Sequence, residues 1–146
     1  MLLLRTERLP EGDDWLYELK LDGYRALAIK SGGKIRLRSR NGNDFNPRYP
    51  GIVQALADMP DETVLDGEVV ALDEEGRPSF NTLQNYGSAG ALLSFFIFDV
   101  LVLKGKDVMG ETLMKRHHTR TCRWFMEYSK RIELAPEARA EGTIFR

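Results

Sequence analysis

The run Leu92–Leu103 (LLSFFIFDVLVL) is the most apolar stretch of the chain and constrains the fold more than any other. It is apolar at odd and even positions alike, so it predicts a central strand buried on both faces of a sheet. Phe95, Phe96 and Phe98 are core residues by default on this reading, and Asp99 is structural. A chain organised around such a strand needs packed layers on either side.

Composition allows this. The 146 residues are one domain's worth, with 42% hydrophobic and 29% charged residues, as in an ordinary globular protein. A net charge of −1 gives no overall basic character, so any nucleic-acid contact has to come from a local patch. The single cysteine, Cys122, excludes an internal disulfide and fits a reducing compartment. Met1–Leu4 is too short for a signal peptide's apolar region, and no run approaches a membrane span. The expectation is a cytoplasmic protein with no membrane partner.

The rest of the chain reads as short strands, turns and few helices. Pro10 and Gly12 break a loop over 5–14. In Trp15–Ile29 (WLYELKLDGYRALAI), Leu19 and Leu21 alternate with Glu18, Lys20 and Asp22, the period of a half-buried strand. Asp22-Gly23 then predicts a tight turn of positive φ, and an apolar-rich run resumes. A lysine between two carboxylates, five residues before Arg25, can have a tuned pKa and a nucleophilic amine if its surroundings are dry. A surface strand with a charge ladder and a DG turn accounts for the same residues. Ser31–Lys34 is another turn. Ile35–Arg40 alternates strictly, with Arg36, Arg38 and Arg40 on one face, either a solvated edge or an anion-binding one.

Ile52, Val53, Leu56 and Met59 have helical spacing, ended by Pro60. Thr63–Leu72 (TVLDGEVVAL) is a further strand with an Asp-Gly pair inside it; its Glu68 is either an exposed acid in a hairpin or a ligand-binding one. Ser79–Gln84 predicts a short helix, Lys104–Asp107 a turn, and Leu113 onward a polar, basic stretch of patchy helical period. Adjacent His117 and His118 point about 100° apart on a helix and are poor joint metal ligands.

Glu18-Leu19-Lys20-Leu21-Asp22-Gly23-Tyr24-Arg25 resembles the K-x-D-G-x-R signature of covalent nucleotidyltransferases: ATP-dependent DNA ligases, RNA ligases and mRNA capping enzymes. Ser39-Arg40-Asn41-Gly42, Asp66-Gly67-Glu68, Phe80-type S-F-x-x-L-Q at 79–84 and Phe98-Asp99-Val100-Leu101 follow in the order of the DNA ligase elements. The resemblance covers roughly 10–116 and is closest to the ligase domain of bacterial multifunctional end-joining ligases. Glu141-Gly142-Thr143-Ile144-Phe145-Arg146 is similar to a later metal-binding element, from which Thr143 and Arg146 depart. Residues 117–140 do not resemble the family well.

What this resemblance implies is an α+β nucleotidyltransferase core, ATP-grasp-like, of two mainly antiparallel sheets flanked by helices. The nucleotide lies in the cleft between them. Lys20 attacks the α-phosphate of ATP to form lysyl-AMP. Glu18 reads the adenine, Glu68 accepts from the ribose and Phe98 stacks on the base. Arg25 and Arg40 hold phosphate, and Glu141 helps hold Mg²⁺ or Mn²⁺. The partner is nicked double-stranded DNA, sealed in repair. The family's K-x-K strand and OB-fold domain do not follow here. Residues 1–146 are therefore expected to be one partial adenylation domain, with a free sheet edge available for self-association. The alternatives are an impaired ligase fragment that only binds nucleotide or DNA, and an RNA ligase or capping-type enzyme.

Overall fold

The computed structural model describes residues 21–86, 92–120 and 132–134, with backbone alone at 117–120 and 132–134. The chain divides into two compact units: Asp22–Leu134, and Met1–Leu21 with Ala135–Arg146. All described secondary structure lies in Asp22–Leu134.

Its strands are β1 (Tyr24–Ser31), β2 (Lys34–Ser39), β3 (Thr63–Leu72), β4 (Leu92–Leu103), β5 (Lys106–Asp107) and β6 (Ile132–Leu134). They form one six-stranded sheet in the order β2-β1-β3-β4-β5, with β6 also paired to β4. Every pairing is antiparallel except β4 with β6. The expected mainly antiparallel, helix-poor α+β architecture is therefore present, as a single sheet among the described residues.

Local chemistry explains the connections. Ser31-Gly32-Gly33-Lys34 closes the β1–β2 hairpin, with both glycines at positive φ (56° and 73°), as a two-residue turn matched to strand twist requires. The turn from β4 to β5 does the same with Lys104 (φ 50°) and Gly105 (φ 80°). Helix α1 (Pro50–Ala55) has proline in its first turn, where the missing N–H costs nothing. Helix α2 (Phe80–Gln84) begins at Ser79, whose hydroxyl accepts from the Thr82 amide at 3.3 Å. Helix α3 spans Leu113–Arg120.

The two sheet faces differ sharply. Ala26 and Ala28 of β1, Leu37 of β2, Leu65, Val69 and Ala71 of β3, and Phe95, Ile97 and Val100 of β4 are buried on one face. They pack with Phe45, Tyr49, Ile52, Leu56 and Met59 from the α1 region and Leu83 from α2. The helical spacing of Ile52, Leu56 and Met59 thus delivers them to the core, although regular helix ends at Ala55. The opposite face carries Arg25, Asp66, Glu68 and Arg38, together with buried Val70, Ser94 and Phe96. Of the Leu92–Leu103 run, Leu93–Ile97 is buried on both faces, as continuous apolarity predicts, whereas Leu92 is 53% exposed and Phe98, Asp99 and Leu101–Leu103 are half-buried.

Candidate active site

Strand register gathers the candidate residues on this opposite face. Arg25 of β1 lies directly across from Glu68 of β3, and Glu68 from Phe96 of β4. Glu133 of β6 takes the next register position, beside Phe96. Residues directly opposite on neighbouring strands share a face, so Arg25, Glu68 and Phe96 form one row across three strands.

Phe98 reaches the same face through an irregularity. Gly67 pairs with Ile97 and Asp66 with Asp99, leaving Phe98 as an extra residue in β4. Ile97 is fully buried on the core side. The next residue, Phe98, therefore turns to the opposite face, and Asp99 shares it because Asp66 does. A β-bulge of this kind re-aims side chains without ending the sheet. Gly67 is required here: a Cβ would lie 2.3 Å from the Phe96 carbonyl oxygen and 2.8 Å from the Phe95 ring. Asp66-Gly67 is thus strand interior and close packing, and Glu68 is a partly buried strand residue; the hairpin reading of this stretch does not apply.

Each charged group has identifiable partners. Glu68 Oε1 accepts from the Gly23 backbone N–H at 2.7 Å. Arg25 forms a two-pronged pair with Asp66, donating from Nε to Oδ1 at 3.0 Å and from Nη2 to Oδ2. That hydrogen bond, with the further negative charges of Glu68 and Asp99, raises the guanidinium's pKa above its ordinary value. Asp99 is held in turn by Arg116, from Nε to Oδ1 at 2.8 Å and from Nη2 to Oδ2 at 2.9 Å.

Gly23 corrects one expectation. It sits in a bend but not at positive φ; among the described residues the left-handed glycines are Gly32, Gly33, Gly42, Gly76 and Gly105. Its need for glycine is steric, since a Cβ would lie 2.3 Å from the Val69 carbonyl oxygen and 2.9 Å from Glu68 Cγ. The Asp22-Gly23 pair lets the chain lie against β3.

The arginine pattern of β2 holds. Leu37 is buried in the core while Arg36 and Arg38 take the other face. Arg38 donates to the Gly42 carbonyl at 3.3 Å, and Arg40 is exposed in the turn that follows. Lys20, Glu18 and Glu141 lie outside the described residues. Among the described residues, no three His, Cys, Asp or Glu side chains cluster to hold a metal, and no helix is long and apolar enough to cross a membrane. Sequence reasoning missed Asp66 and Arg116, the ion-pair partners of Arg25 and Asp99. Asp66, an acid two residues from Glu68 in an apolar run, shares its face by strand period alone.

The family model described as "ATP dependent DNA ligase domain" matches residues 5–141. The multifunctional non-homologous end joining protein LigD of Pseudomonas aeruginosa is 42% identical over 114 residues, covering 76% of this chain and 14% of that protein. LigD of Mycobacterium tuberculosis is 40% identical over 107 residues, again spanning 14% of its length. A solved structure, "mycobacterial DNA ligase D complexed with ATP and MES", superposes with a TM-score of 0.71 at 34% identity, covering 88% of this chain and 42% of that one. The crystal structure of the M. tuberculosis LigD ligase domain gives 0.69 with the same identity and coverages. This chain therefore spans a minor part of the relatives it matches, and it belongs to the ATP-dependent DNA ligase domain family.

Proposed function

We propose that this chain is the adenylation domain of a DNA end-sealing enzyme, with Lys20 as the nucleophile. Arg25, Glu68 and Phe98 come from three different strands and lie on one sheet face. That is the observation supporting the reading most strongly. The neutral Lys20 amine attacks the α-phosphorus of ATP and loses a proton. The bond to the bridging oxygen breaks and pyrophosphate leaves, so AMP stays on Nζ as a phosphoramidate. The adenylyl group then passes to the 5′-phosphate of a DNA nick, and the 3′-hydroxyl displaces AMP.

The residues divide this work by chemistry. Phe98 offers a ring to the adenine, an interaction on the order of 1–3 kcal/mol. Glu18 reads the base. Glu68 accepts from the ribose hydroxyls, a role suited to a carboxylate already oriented by the Gly23 amide. Arg40 is an exposed cation for a phosphate of nucleotide or nick. Arg25, paired with Asp66, contributes to the phosphate site from an oriented guanidinium rather than a free one. A divalent ion such as Mg²⁺, held with Glu141 and the triphosphate, would supply further neutralising charge. One adenylation domain across 1–146, the family's two-sheet core and a cytoplasmic setting belong to the same reading.

Intact mass after incubation with ATP and Mg²⁺ tests it. The wild type gains one adenylyl group and Lys20→Ala none. A folded wild type that gains nothing, beside an active full-length ligase, overturns self-adenylation by this chain.

A further inference from the structure

The Asp99–Arg116 pair is not accounted for by phosphate or sugar binding, and it is unusually well enclosed. Arg116 and Asp99 side chains are only 14% and 19% exposed. Besides its two bonds to Asp99, Arg116 donates from Nη1 to the carbonyls of Met109 (3.2 Å) and Glu111. A planar guanidinium thus fastens β4 to the segment leading into α3. A lysine could not reproduce that fork.

Two features tie this pair to the β4 bulge. Asp99 is the residue after Phe98, and its Oδ1 also accepts from its neighbour's backbone, the Val100 N–H, at 2.8 Å. Asp99 also stands directly opposite Asp66. Two carboxylates facing each other across neighbouring strands repel, and each is neutralised from its own side, Asp66 by Arg25 and Asp99 by Arg116. Without Arg116, the Asp99 carboxylate would face Asp66 with no counter-charge of its own beside the bulge that directs Phe98.

We propose that Arg116 is a positioning residue for base recognition: through Asp99 it fixes the β-bulge that turns Phe98 toward the nucleotide. The inference rests on the reading of Phe98 as the adenine-stacking ring. It assigns Arg116 no contact with ATP.

A double-mutant cycle of Phe98→Ala and Arg116→Ala in the whole chain, read by the KM and rate of self-adenylation, tests it. The expected result is a rise in the KM for ATP of about tenfold for either single variant, within the range of a lost base stack. The maximal rate changes little, and the double variant is no worse than Phe98→Ala alone. Arg116→Lys, with charge but no fork, restores only part of the affinity. If Phe98→Ala leaves KM unchanged, the stacking assignment itself is wrong. If Phe98→Ala weakens ATP while the Arg116 variants do not, or if the two effects multiply, the positioning role is wrong. Should neither Arg116 variant fold, the pair is a core fastening and the proposal fails equally.

Discussion

The backbone amide of Gly23 donates to the carboxylate of Glu68 at 2.7 Å, although 45 residues separate them. One bond therefore joins the bend before β1 to the middle of β3. It orients the carboxylate, and it seats a backbone segment where no Cβ has room.

Gly23→Ala tests that seat. The added methyl meets the Val69 main-chain oxygen at 2.3 Å, closer than the Glu68 and Val70 side chains it also crowds, so relief requires moving the strand or the bend. We expect a loss of about 2–4 kcal/mol in urea unfolding, beyond what alanine's propensity could offset. A change under about 0.5 kcal/mol would mean that the bend has freedom to shift.

Glu68→Gln separates orientation from charge. The amide oxygen can still accept from Gly23, so the unfolding midpoint should stay near wild type. If Glu68 has the proposed ribose role, a neutral acceptor holds the hydroxyls less tightly, and the KM for ATP should rise about tenfold, the equivalent of about 1.4 kcal/mol. Isothermal titration with ATP beside thermal melts distinguishes this from simple unfolding.

The loop after β3 carries an acid switch of local reach. Asp73 accepts from the Arg77 and Glu75 amides at 2.8 and 3.1 Å and pairs with the Arg77 side chain. The Arg77 backbone hydrogen bond is the main cause of a pKa below the ordinary 3.8. A depressed acid stabilises its loop above its unfolded pKa and loses that contribution as pH falls through the folded one. Amide shifts of Glu75 and Arg77, followed by NMR, should titrate together with a midpoint below 3.8, while core amides stay put.

Asn46 guards the outer rim of β2. Its Oδ1 accepts from the Leu37 N–H at 2.7 Å and its Nδ2 donates to the Ile35 carbonyl at 2.8 Å. One side chain thus fills positions that another strand would otherwise take. Asn46→Ala should cost about 1–3 kcal/mol in unfolding free energy, since the Leu37 amide loses its partner. It should also favour association through β2, which light scattering during concentration would reveal.

Periodicity made much of this legible. The alternation of Ile35–Arg40 put Leu37 inside and its arginines outside, and the unbroken apolarity of Leu92–Leu103 marked a strand whose Leu93–Ile97 segment is covered on both faces. Ile52, Leu56 and Met59 kept their core roles although the helix stops early. What the sequence concealed depends on contacts distant along the chain. Nothing near Gly23 shows that Val69 will crowd it, and a DG pair suggests a turn for good local reasons. Phe98 owes its face to a bulge that only the pairing of β3 with β4 defines. Asp66 and Arg116 looked ordinary because their partners, Arg25 and Asp99, lie 41 and 17 residues away.

The order of pairing in this sheet has a kinetic consequence. The β1–β2 hairpin closes over two residues and can form within microseconds. The β1–β3 ladder must close the whole excursion through α1, and such non-local pairing carries the entropy that slows folding. The face bearing Arg25, Asp66 and Glu68 comes into being only with that slower ladder. A refolding chain therefore completes this face after the β1–β2 hairpin, and if the proposed nucleotide site lies there, ATP binding followed in time would report on sheet assembly rather than on collapse.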